Sequence, residues 1–222
     1  FSIFYVAILE EFGWSRAATA SVFTVYAVVH GLLALPWGFA VRRWGSRAVI
    51  VIGSAVMGIG FILSSRTSAV WHLYVFYGCI VAIGSSACGY PANGSVVSNW
   101  FHRRRGLAMG MAFSGVGVGI IVLGPLSQQL IDAYGWRTAY VFLALFAVCI
   151  VLPLNLFFSR YHPSHKGLSA DGLAEQTSAA AVGPSGVAWN LGEAFRSLPF
   201  WCVFGAHALS SLLLMIVMIH QF

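Results

Sequence analysis

The stretch NWFHRRRGLAMGMAFSG, residues 99–115, decides the fold, because it places three consecutive arginines, Arg103 to Arg105, between two long apolar runs. In a soluble protein such a triplet is typical of a solvated surface or a nucleic-acid contact. The whole chain of 222 residues is 59% hydrophobic and only 8% charged, whereas soluble domains contain about 25% charged residues. A globule of this size cannot bury so much apolar surface, which indicates that the chain lies in a membrane.

Six apolar runs are each long enough to cross about 30 Å of hydrocarbon as a helix, the geometry that satisfies every backbone polar group in lipid. Residues 1–9 resemble the end of an earlier helix, which we count as the first span. The six complete runs are then spans two to seven, at 18–41, 48–64, 71–98, 106–126, 138–158 and 198–222. The sequence predicts an all-α membrane protein with a bundle at 1–158, a small-residue cytoplasmic linker at 159–197, and a helix at 198–222 that begins a second bundle. We expect the chain to be the N-terminal half of a longer protein, with its first and last helices truncated.

The basic residues are unequally divided between the two membrane faces. Alternating the loops places nine of the twelve on one face and leaves Arg16, Arg66 and Arg137 on the other. Because an arginine costs about 2.5–3.5 kcal/mol at the centre of a membrane helix, the triplet at 103–105 belongs at an interface, and the positive-inside rule makes the arginine-rich face cytoplasmic. Lys166 is the single lysine, a bias typical of GC-rich bacterial genomes. We therefore expect a multi-pass protein of a bacterial inner (plasma) membrane.

The pattern of charged and reactive residues excludes several classes of function. The net charge of +6 forms no basic amphipathic face, so nucleic acid is not an expected partner. The four cysteines lie in apolar spans without CxxC spacing, which predicts no metal site, no disulfide framework and no cofactor. A protease-like GPSG at 183–186 falls in the polar linker, so we predict no enzyme. The expected partners are the lipid bilayer and a small solute, and we expect a monomer.

Two short segments repeat each other. RRWGSR at 42–47 and DAYGWR at 132–137 share the pattern aromatic-Gly-x-Arg, so Gly45 corresponds to Gly135 and Arg47 to Arg137. They follow the second and fifth spans, and therefore lie on opposite sides of the membrane. This placement predicts two inverted three-helix repeats within one six-helix bundle.

With these features the chain resembles the major facilitator superfamily over its whole length. That family has the loop pattern G-x-x-x-D-R-x-G-R-R between helices 2 and 3, and GFAVRRWGSR at 38–47 places Gly38, Arg43, Gly45 and Arg47 in it. Arg42 stands where the family has an Asp, the acid of an ion pair at the closed cytoplasmic gate. Asp132 holds the equivalent position in the opposite loop.

The opening stretch resembles the signature of the monocarboxylate porter branch, aromatic-aromatic-x-basic-basic-R-x-L-A-x-G-x-A-x-A-G. Trp100 and Ser114 depart from the pattern, and nine positions agree: Phe101, Arg103, Arg104, Arg105, Leu107, Ala108, Gly110, Ala112 and Gly115. YGWRTAYVFLA at 134–144 is similar to that branch and to the bacterial oxalate–formate antiporters. The resemblance implies a secondary transporter of small carboxylates, coupled to a proton and working by alternating access, with a cationic residue in helix 8 that lies beyond this sequence. The alternatives are a transporter of another solute (a dicarboxylate, a sugar or a drug) and a transport-inactive sensor of the same fold.

Polar side chains inside the spans are candidates for the substrate path or proton coupling. On the fourth span, Ser86, Tyr90 and Asn93 would share one helical face, with a kink at Pro91. Asn93 either binds a carboxylate substrate or ties helices together. On the second span, His30 is either a proton relay or a partner in an interhelical hydrogen bond.

The seventh span contributes two histidines on roughly opposite faces. Helical periodicity favours His207, which shares a face with Ser210 and Ser211, whereas the family resemblance favours His220 near the outer end. Either side chain titrates near physiological pH and is a candidate for proton coupling or carboxylate binding.

Glycines recur along the fifth span. Gly106 and Gly110 form one GxxxG pair, and Gly115 and Gly119 form a second. Small residues let helix backbones approach closely, so this span is predicted to be a packing or sliding surface. Ordinary tight packing without movement is the alternative.

Overall fold

The computed structural model describes residues 2–101 and 104–158, and, near the end of the chain, 196–198, 200–202, 204–206 and 209–210. Arg103, His207, His220 and nearly all of the predicted linker lie outside these residues. Packing divides the chain into a larger unit, which contains the long helices, and a smaller unit that includes the few described residues after 195. In the described ranges all regular structure is helical.

Three helical stretches are long and apolar enough to cross a membrane: Arg16–Ser65, Val70–Trp100 and Arg105–Leu156. A straight helix of 50 residues would extend about 75 Å, more than twice the thickness of the hydrocarbon. The first stretch therefore reverses at Gly45 and the third at Gly135, where the backbone leaves the helical region. Together with α1, the described residues thus form six helices, and α2 to α6 overlap the predicted spans two to six: α1 (Ser2–Phe12), α2 (16–44), α3 (46–65), α4 (Val70–Trp100), α5 (105–134) and α6 (136–158).

The end of α5 differs from the prediction. The apolar pattern ended at Leu126, but the helix continues to residue 134. The additional turns are amphipathic: Leu130 and Ile131 pack against the core, and the side chain amide of Gln128 donates a hydrogen bond to Asp132 Oδ1, 2.9 Å away and one turn later. A helix can extend beyond the hydrocarbon when polar side chains at i and i+4 support it, so hydropathy alone underestimates its length.

The two glycine turns have the same backbone conformation. Gly45 has φ 80° and ψ 155°, and Gly135 has φ 81° and ψ 159°, a region that only glycine occupies without strain. The helices leading to them also correspond, because α2 begins at Arg16 and α5 at Arg105, and each has a proline twenty residues further on, Pro36 and Pro125. The internal repeat predicted from the sequence is therefore confirmed in the backbone.

Charge distinguishes the two ends of the bundle. We call the end with the Gly45 turn the arginine end; its exposed charges are Arg42, Arg43, Arg47, Arg104 and Arg105. We call the end with the Gly135 turn the mixed-charge end; it carries Glu10, Glu11, Arg16, Arg66, Asp132 and Arg137. The described residues of the larger unit thus have acidic side chains at one end only.

Each end has its own core. At the mixed-charge end, large side chains of α1, α2, α4 and α6 pack together, among them Phe4, Val22, Tyr77 and Tyr140. At the arginine end, the buried residues are smaller and come from α2, α3 and α4: Val41, Val49, Ile50, Ala87 and Ala92.

Helices α3 and α4 are in direct backbone contact midway along the bundle. A Cβ atom on Gly84 would collide with the Met57 backbone nitrogen and would lie 2.6 Å from the Gly53 carbonyl oxygen. A Cβ on Gly53 would likewise lie 2.8 Å from the Gly84 carbonyl oxygen. Glycine is therefore required at both positions for the two backbones to approach this closely.

Candidate functional site

Four polar residues between α2 and α4 form the candidate site, which we call the α2–α4 polar cluster: Tyr26, His30, Ser85 and Ser86. The Tyr26 hydroxyl lies 2.9 Å from Ser85 Oγ, and Ser86 Oγ donates a hydrogen bond of 2.8 Å to the His30 carbonyl oxygen. The Tyr26 ring stacks on His30 at 5.7 Å between centroids and contacts Tyr77 at 5.4 Å. These contacts fix the side chain of Tyr26, and through it one face of the His30 ring.

The interhelical hydrogen bond expected of His30 is present, but its main chain makes it. The carbonyl oxygen accepts from Ser86, and the imidazole nitrogens form no hydrogen bond to any described residue. The ring is half-buried. It is thus held by stacking with both nitrogens available, so a role as proton relay stays a prediction.

Helix α4 is interrupted, and the interruption separates residues that the sequence placed on one face. The helical segment Ala82–Ala87 ends at Cys88, and a new segment, Tyr90–Trp100, starts with Pro91 in its first turn. Proline lacks an N–H and cannot continue the preceding helix, so the break falls directly before it. The predicted common face of Ser86, Tyr90 and Asn93 was wrong for this reason: Ser86 is buried against α2, whereas Tyr90 is 62% exposed.

Asn93 stabilises the break in α4. Its side chain nitrogen donates to the carbonyl oxygens of Cys88 at 2.6 Å and of Gly89 at 3.2 Å; Gly89 also accepts from the Asn93 backbone N–H, which is the first backbone hydrogen bond of the new segment. Among the described contacts, the Asn93 side chain thus connects the two segments of α4 and does not bond to another helix. The amide oxygen of Asn93 has no such contact, so substrate binding through that atom stays a prediction.

Tyr90 lies next to α5. Its ring is 4.6 Å from that of Phe113 between centroids, at an angle of 52°. This contact and the approach of Gly94 to Met109 and Phe113, both 3.9 Å from the position of a Cβ, hold the second segment of α4 against the first half of α5.

The glycines predicted to form a packing or sliding surface make no close helix contact in the part of the chain that the structure describes. A Cβ atom would meet nothing within 4 Å at Gly106, Gly110, Gly115 or Gly119. Large apolar side chains on the same helix are also exposed, with Met111 at 69% and Ile121 at 73%. Close helix contact through glycine occurs instead at Gly53 and Gly84, which the sequence analysis did not single out.

At the mixed-charge end, Arg137 joins three elements. It forms an ion pair with Glu11 at the end of α1, with 2.6 Å between Nη1 and Oε1, and Nη2 donates to the carbonyl oxygen of Thr67 after α3 at 3.3 Å. Its guanidinium lies 4.2 Å from the centroid of the Trp136 ring, and Trp136 Nε1 donates to the second Glu11 oxygen. These hydrogen bonds, chiefly the one from Arg137, hold the pKa of Glu11 below its usual value against an opposing effect of burial.

Sequence reasoning missed Glu11. The available signal was the scarcity of acids, because 1–158 contains only Glu10, Glu11 and Asp132. The acid that the repeat suggested, Asp132, accepts a hydrogen bond from Gln128 and is not the partner of Arg137.

At the arginine end, the corresponding turn has no charged partner. None of the arginines there forms an ion pair with a described residue. The turn is held instead by neutral groups, since Ser46 Oγ lies 2.7 Å from Ser95 Oγ of α4. Arg103, the first residue of the triplet, lies outside the described residues, as do the candidates His207 and His220.

The chain resembles proteins of one family throughout. Residues 1–222 match the model of the Major Facilitator Superfamily. The chain is 34% identical over 172 residues to monocarboxylate transporter 11 of Homo sapiens, which covers 74% of this chain and 36% of that protein. It is 32% identical over 190 residues to monocarboxylate transporter 12 of Rattus norvegicus, covering 82% and 38% respectively. It is also 33% identical over 134 residues to the riboflavin transporter RibJ of Trypanosoma brucei brucei, covering 60% and 24%. The chain thus spans less than two fifths of the length of these relatives.

Fold and comparisons define the class of protein, an all-α integral membrane protein with several membrane-spanning helices. Within that class, the chain belongs to the Major Facilitator Superfamily, near its monocarboxylate transporter branch. Its relatives are named as transporters and not as enzymes, in agreement with the sequence prediction. The domain boundaries and the location in a bacterial inner membrane stay predictions.

Proposed function

We propose that the protein containing this chain is a secondary transporter of small carboxylates, which moves its substrate together with a proton by alternating access. The observation that carries the proposal is the similarity to two monocarboxylate transporters over about three quarters of the chain. The arginine-glycine signature at 99–115 supports it independently of those names. The plasma membrane is the proposed location, with the arginine end in the cytoplasm.

The α2–α4 polar cluster supplies one wall of the proposed path. Tyr26 is fixed by Ser85 and Tyr77, so its ring holds the imidazole of His30 in one orientation. Both nitrogens of that imidazole lack hydrogen bonds to described residues, which leaves them available to a carboxylate or a proton. His207 and His220 on the seventh span are the further candidates for proton coupling.

A second candidate substrate is a larger heteroaromatic solute. The riboflavin transporter RibJ is as similar in sequence as the monocarboxylate transporters, although over a shorter stretch. Tyr26, Tyr90 and Phe113 provide ring surfaces on α2, α4 and α5, the kind of surface on which a flat ring system stacks.

Uptake by proteoliposomes containing the full-length protein tests both candidates. Labelled lactate, pyruvate and oxalate are supplied with and without an inward proton gradient, and unlabelled riboflavin is added as a competitor. We expect uptake of at least one carboxylate, accelerated by the gradient and unaffected by riboflavin. A parallel assay supplies labelled riboflavin, and uptake of riboflavin without uptake of any carboxylate would replace the first candidate by the second. Binding of a carboxylate in calorimetry without any uptake would identify a sensor.

Histidine variants test the proton coupling. His30→Gln, His207→Gln and His220→Gln each remove one titratable ring, and we expect the variant that carries the proton to lose the dependence of uptake on pH. His72→Gln is the matched control, because the His72 ring accepts a hydrogen bond from the Ala69 backbone in the turn before α4, away from the cluster. Unchanged pH profiles in all three variants would remove these histidines from the mechanism.

The orientation is tested by single cysteines in a cysteine-free background. Position 104 lies at the arginine end and position 66 at the mixed-charge end, and both are exposed. A membrane-impermeant thiol reagent applied to intact cells should label position 66 only. Labelling of position 104 would reverse the proposed orientation.

A further inference from the structure

The arginine end of the bundle has positive charge that nothing in the described structure balances. Its exposed arginines are Arg42, Arg43, Arg47, Arg104 and Arg105. No acidic residue lies at this end within 2–101 and 104–158, and none of the five arginines forms an ion pair with a described residue. Neighbouring like charges repel, so a concentration of guanidinium groups on one surface attracts anions.

Both groups of arginines flank the last turns of α4. On one side, Ser46 follows the Gly45 turn and bonds to Ser95 of α4 at 2.7 Å between the oxygens. On the other side, Met109 and Phe113 of α5 approach Gly94 of α4. Residues 42–47 and the start of α5 therefore lie on either side of the same helix end and form one surface.

The mixed-charge end shows how an equivalent arginine is neutralised within the fold. Arg137 occupies the position two residues after Gly135 and is paired with Glu11. Arg47 occupies the same position after Gly45, which has the same backbone conformation, but it has no acidic neighbour among the described residues. Arg42 even introduces a positive charge at the place where the second repeat has Asp132.

Aromatic side chains place this surface at the depth of lipid headgroups. Trp44 is 59% exposed beside Arg43, and Phe101 is 44% exposed three residues before Arg104. Tryptophan and other aromatic residues collect where hydrocarbon meets headgroups. Guanidinium groups at this depth face phosphates, which they bind through two parallel hydrogen bonds.

We propose that the arginine end is a binding surface for the phosphate groups of anionic phospholipids, with Arg42, Arg43 and Arg47 contributing from the Gly45 turn and Arg104 and Arg105 from the start of α5. The surface discriminates by charge, so it prefers an anionic lipid to a zwitterionic one that has the same phosphate. The proposal does not depend on the transported substrate.

Lipid titration of the full-length protein tests the proposal. The purified protein, stripped of lipid in a neutral detergent, is titrated with phosphatidylglycerol, with phosphatidylcholine or with inorganic phosphate, and bound lipid is counted by native mass spectrometry. We expect phosphatidylglycerol to bind more tightly than phosphatidylcholine, and more weakly as salt is raised. Arg43→Gln and Arg47→Gln should each weaken phosphatidylglycerol binding about fivefold, since one basic residue near an anionic membrane is worth about 1 kcal/mol.

Arg66→Gln is the matched control at the opposite end. Arg66 is exposed and has no ion pair among the described residues, so its loss should leave phosphatidylglycerol binding unchanged. An equal effect of Arg66→Gln and Arg47→Gln would overturn the proposal, as would equal binding of the two lipids. Displacement of phosphatidylglycerol by millimolar inorganic phosphate would assign the surface to a soluble anion instead.

A variant of the linker distinguishes lipid from the chain's own acids. Asp171, Glu175 and Glu193 are the acidic residues between 159 and 197. If the triple variant D171N/E175Q/E193Q binds phosphatidylglycerol with the affinity of the unmodified protein, lipid is the occupant. If the unmodified protein binds none and the triple variant does, the linker occupies the surface and the proposal fails.

Discussion

The turns at Gly45 and Gly135 share a backbone but differ in how they are held. Their dihedral angles agree within 1° in φ and 4° in ψ. In each turn, the residue after the glycine contacts the helix expected from the repeat: Ser46 bonds to Ser95 of α4, and Trp136 bonds to Glu11 of α1. We call the hydrogen bond between Ser46 and Ser95 the neutral tie, and the ion pair of Glu11 with Arg137, the residue after Trp136, the ionic tie.

The difference teaches that the repeat preserves geometry and not charge. A glycine with positive φ and a contact to another helix are present in both turns, where they reverse the chain and secure the helix that follows. The residue types that make this contact differ between the two ends of the bundle. The mixed-charge end pairs Arg137 with an acid of the fold, whereas the arginines of the other end form no ion pair with a described residue.

The largest expected effect is on the glycines themselves. Gly45→Ala and Gly135→Ala should each lower the free energy of unfolding by about 1–3 kcal/mol, because alanine is strained at φ near 80°. A Cβ would meet nothing within 4 Å at either position, so the cost is one of backbone conformation. Unfolding in detergent, followed by circular dichroism, measures both variants.

Gly31→Ala is the control for this pair. Gly31 lies within α2, and a Cβ there also meets nothing within 4 Å, so alanine should be neutral or stabilise by up to about 1 kcal/mol. If Gly45→Ala is tolerated and Gly135→Ala is not, the two turns do not have the same requirement for glycine, and their equivalence is contradicted.

Loss of the hydrogen bond between Ser46 and Ser95 should have the second largest effect on stability. Ser46 is buried, and Ser46→Ala removes its hydrogen bond to Ser95, which we expect to cost about 1 kcal/mol irrespective of salt. Ser98→Ala is the matched control, because among the described contacts the Ser98 hydroxyl bonds to the Gly94 carbonyl of its own helix and to no other helix. Equal unfolding temperatures for the two variants would argue against a tie at Ser46.

The ionic tie should contribute less. The side chains of Arg137 and Glu11 are 44% and 40% exposed, and exposed pairs stabilise by about 0.2–1 kcal/mol. Glu11→Gln should therefore lower stability within that range, and less so in salt of about 0.5 M. Arg47→Gln should have no effect in lipid-free detergent, since Arg47 has no ion pair to lose among the described residues. A comparable loss in both variants would show that the two ends are not electrostatically different.

The smallest effect is a dependence on pH. Because the pKa of Glu11 is lower in the folded protein than its usual 4.5, the ion pair stabilises the fold above that usual value. The stabilisation is lost as pH falls through the lowered pKa. The difference in stability between the unmodified protein and Glu11→Gln should be constant from about pH 7 to about pH 5 and then shrink. A difference that grew on acidification would contradict the assigned shift.

Hydropathy was sufficient to predict the helices, and the similarity of residues 42–47 to residues 132–137 was sufficient to predict the repeat. The length of an apolar run indicates where a helix crosses the membrane, and the shared glycine of the two repeated segments indicates where the chain reverses. The limits of α5 were less predictable, because Gln128 and Asp132 extend the helix through a side-chain contact that hydropathy does not detect.

The candidate site was less predictable because it depends on three-dimensional contacts. Helical periodicity placed Ser86, Tyr90 and Asn93 on one face, and a single break before Pro91 separated them. The partner of Arg137 was 126 residues away in the sequence, and no local pattern connects it to Glu11. Glycine spacing singled out α5, although the close contacts at described glycines occur on α3 and α4, among them those at Gly53 and Gly84.

The contact between Gly53 and Gly84 limits what can move. Because neither position has room for a Cβ atom, any sliding or rolling that brought a residue with a side chain into this contact would cause α3 and α4 to collide. A mechanical cycle that exposes a substrate alternately to the two sides would have to carry this helix pair as one rigid piece, with its motion absorbed at surfaces elsewhere.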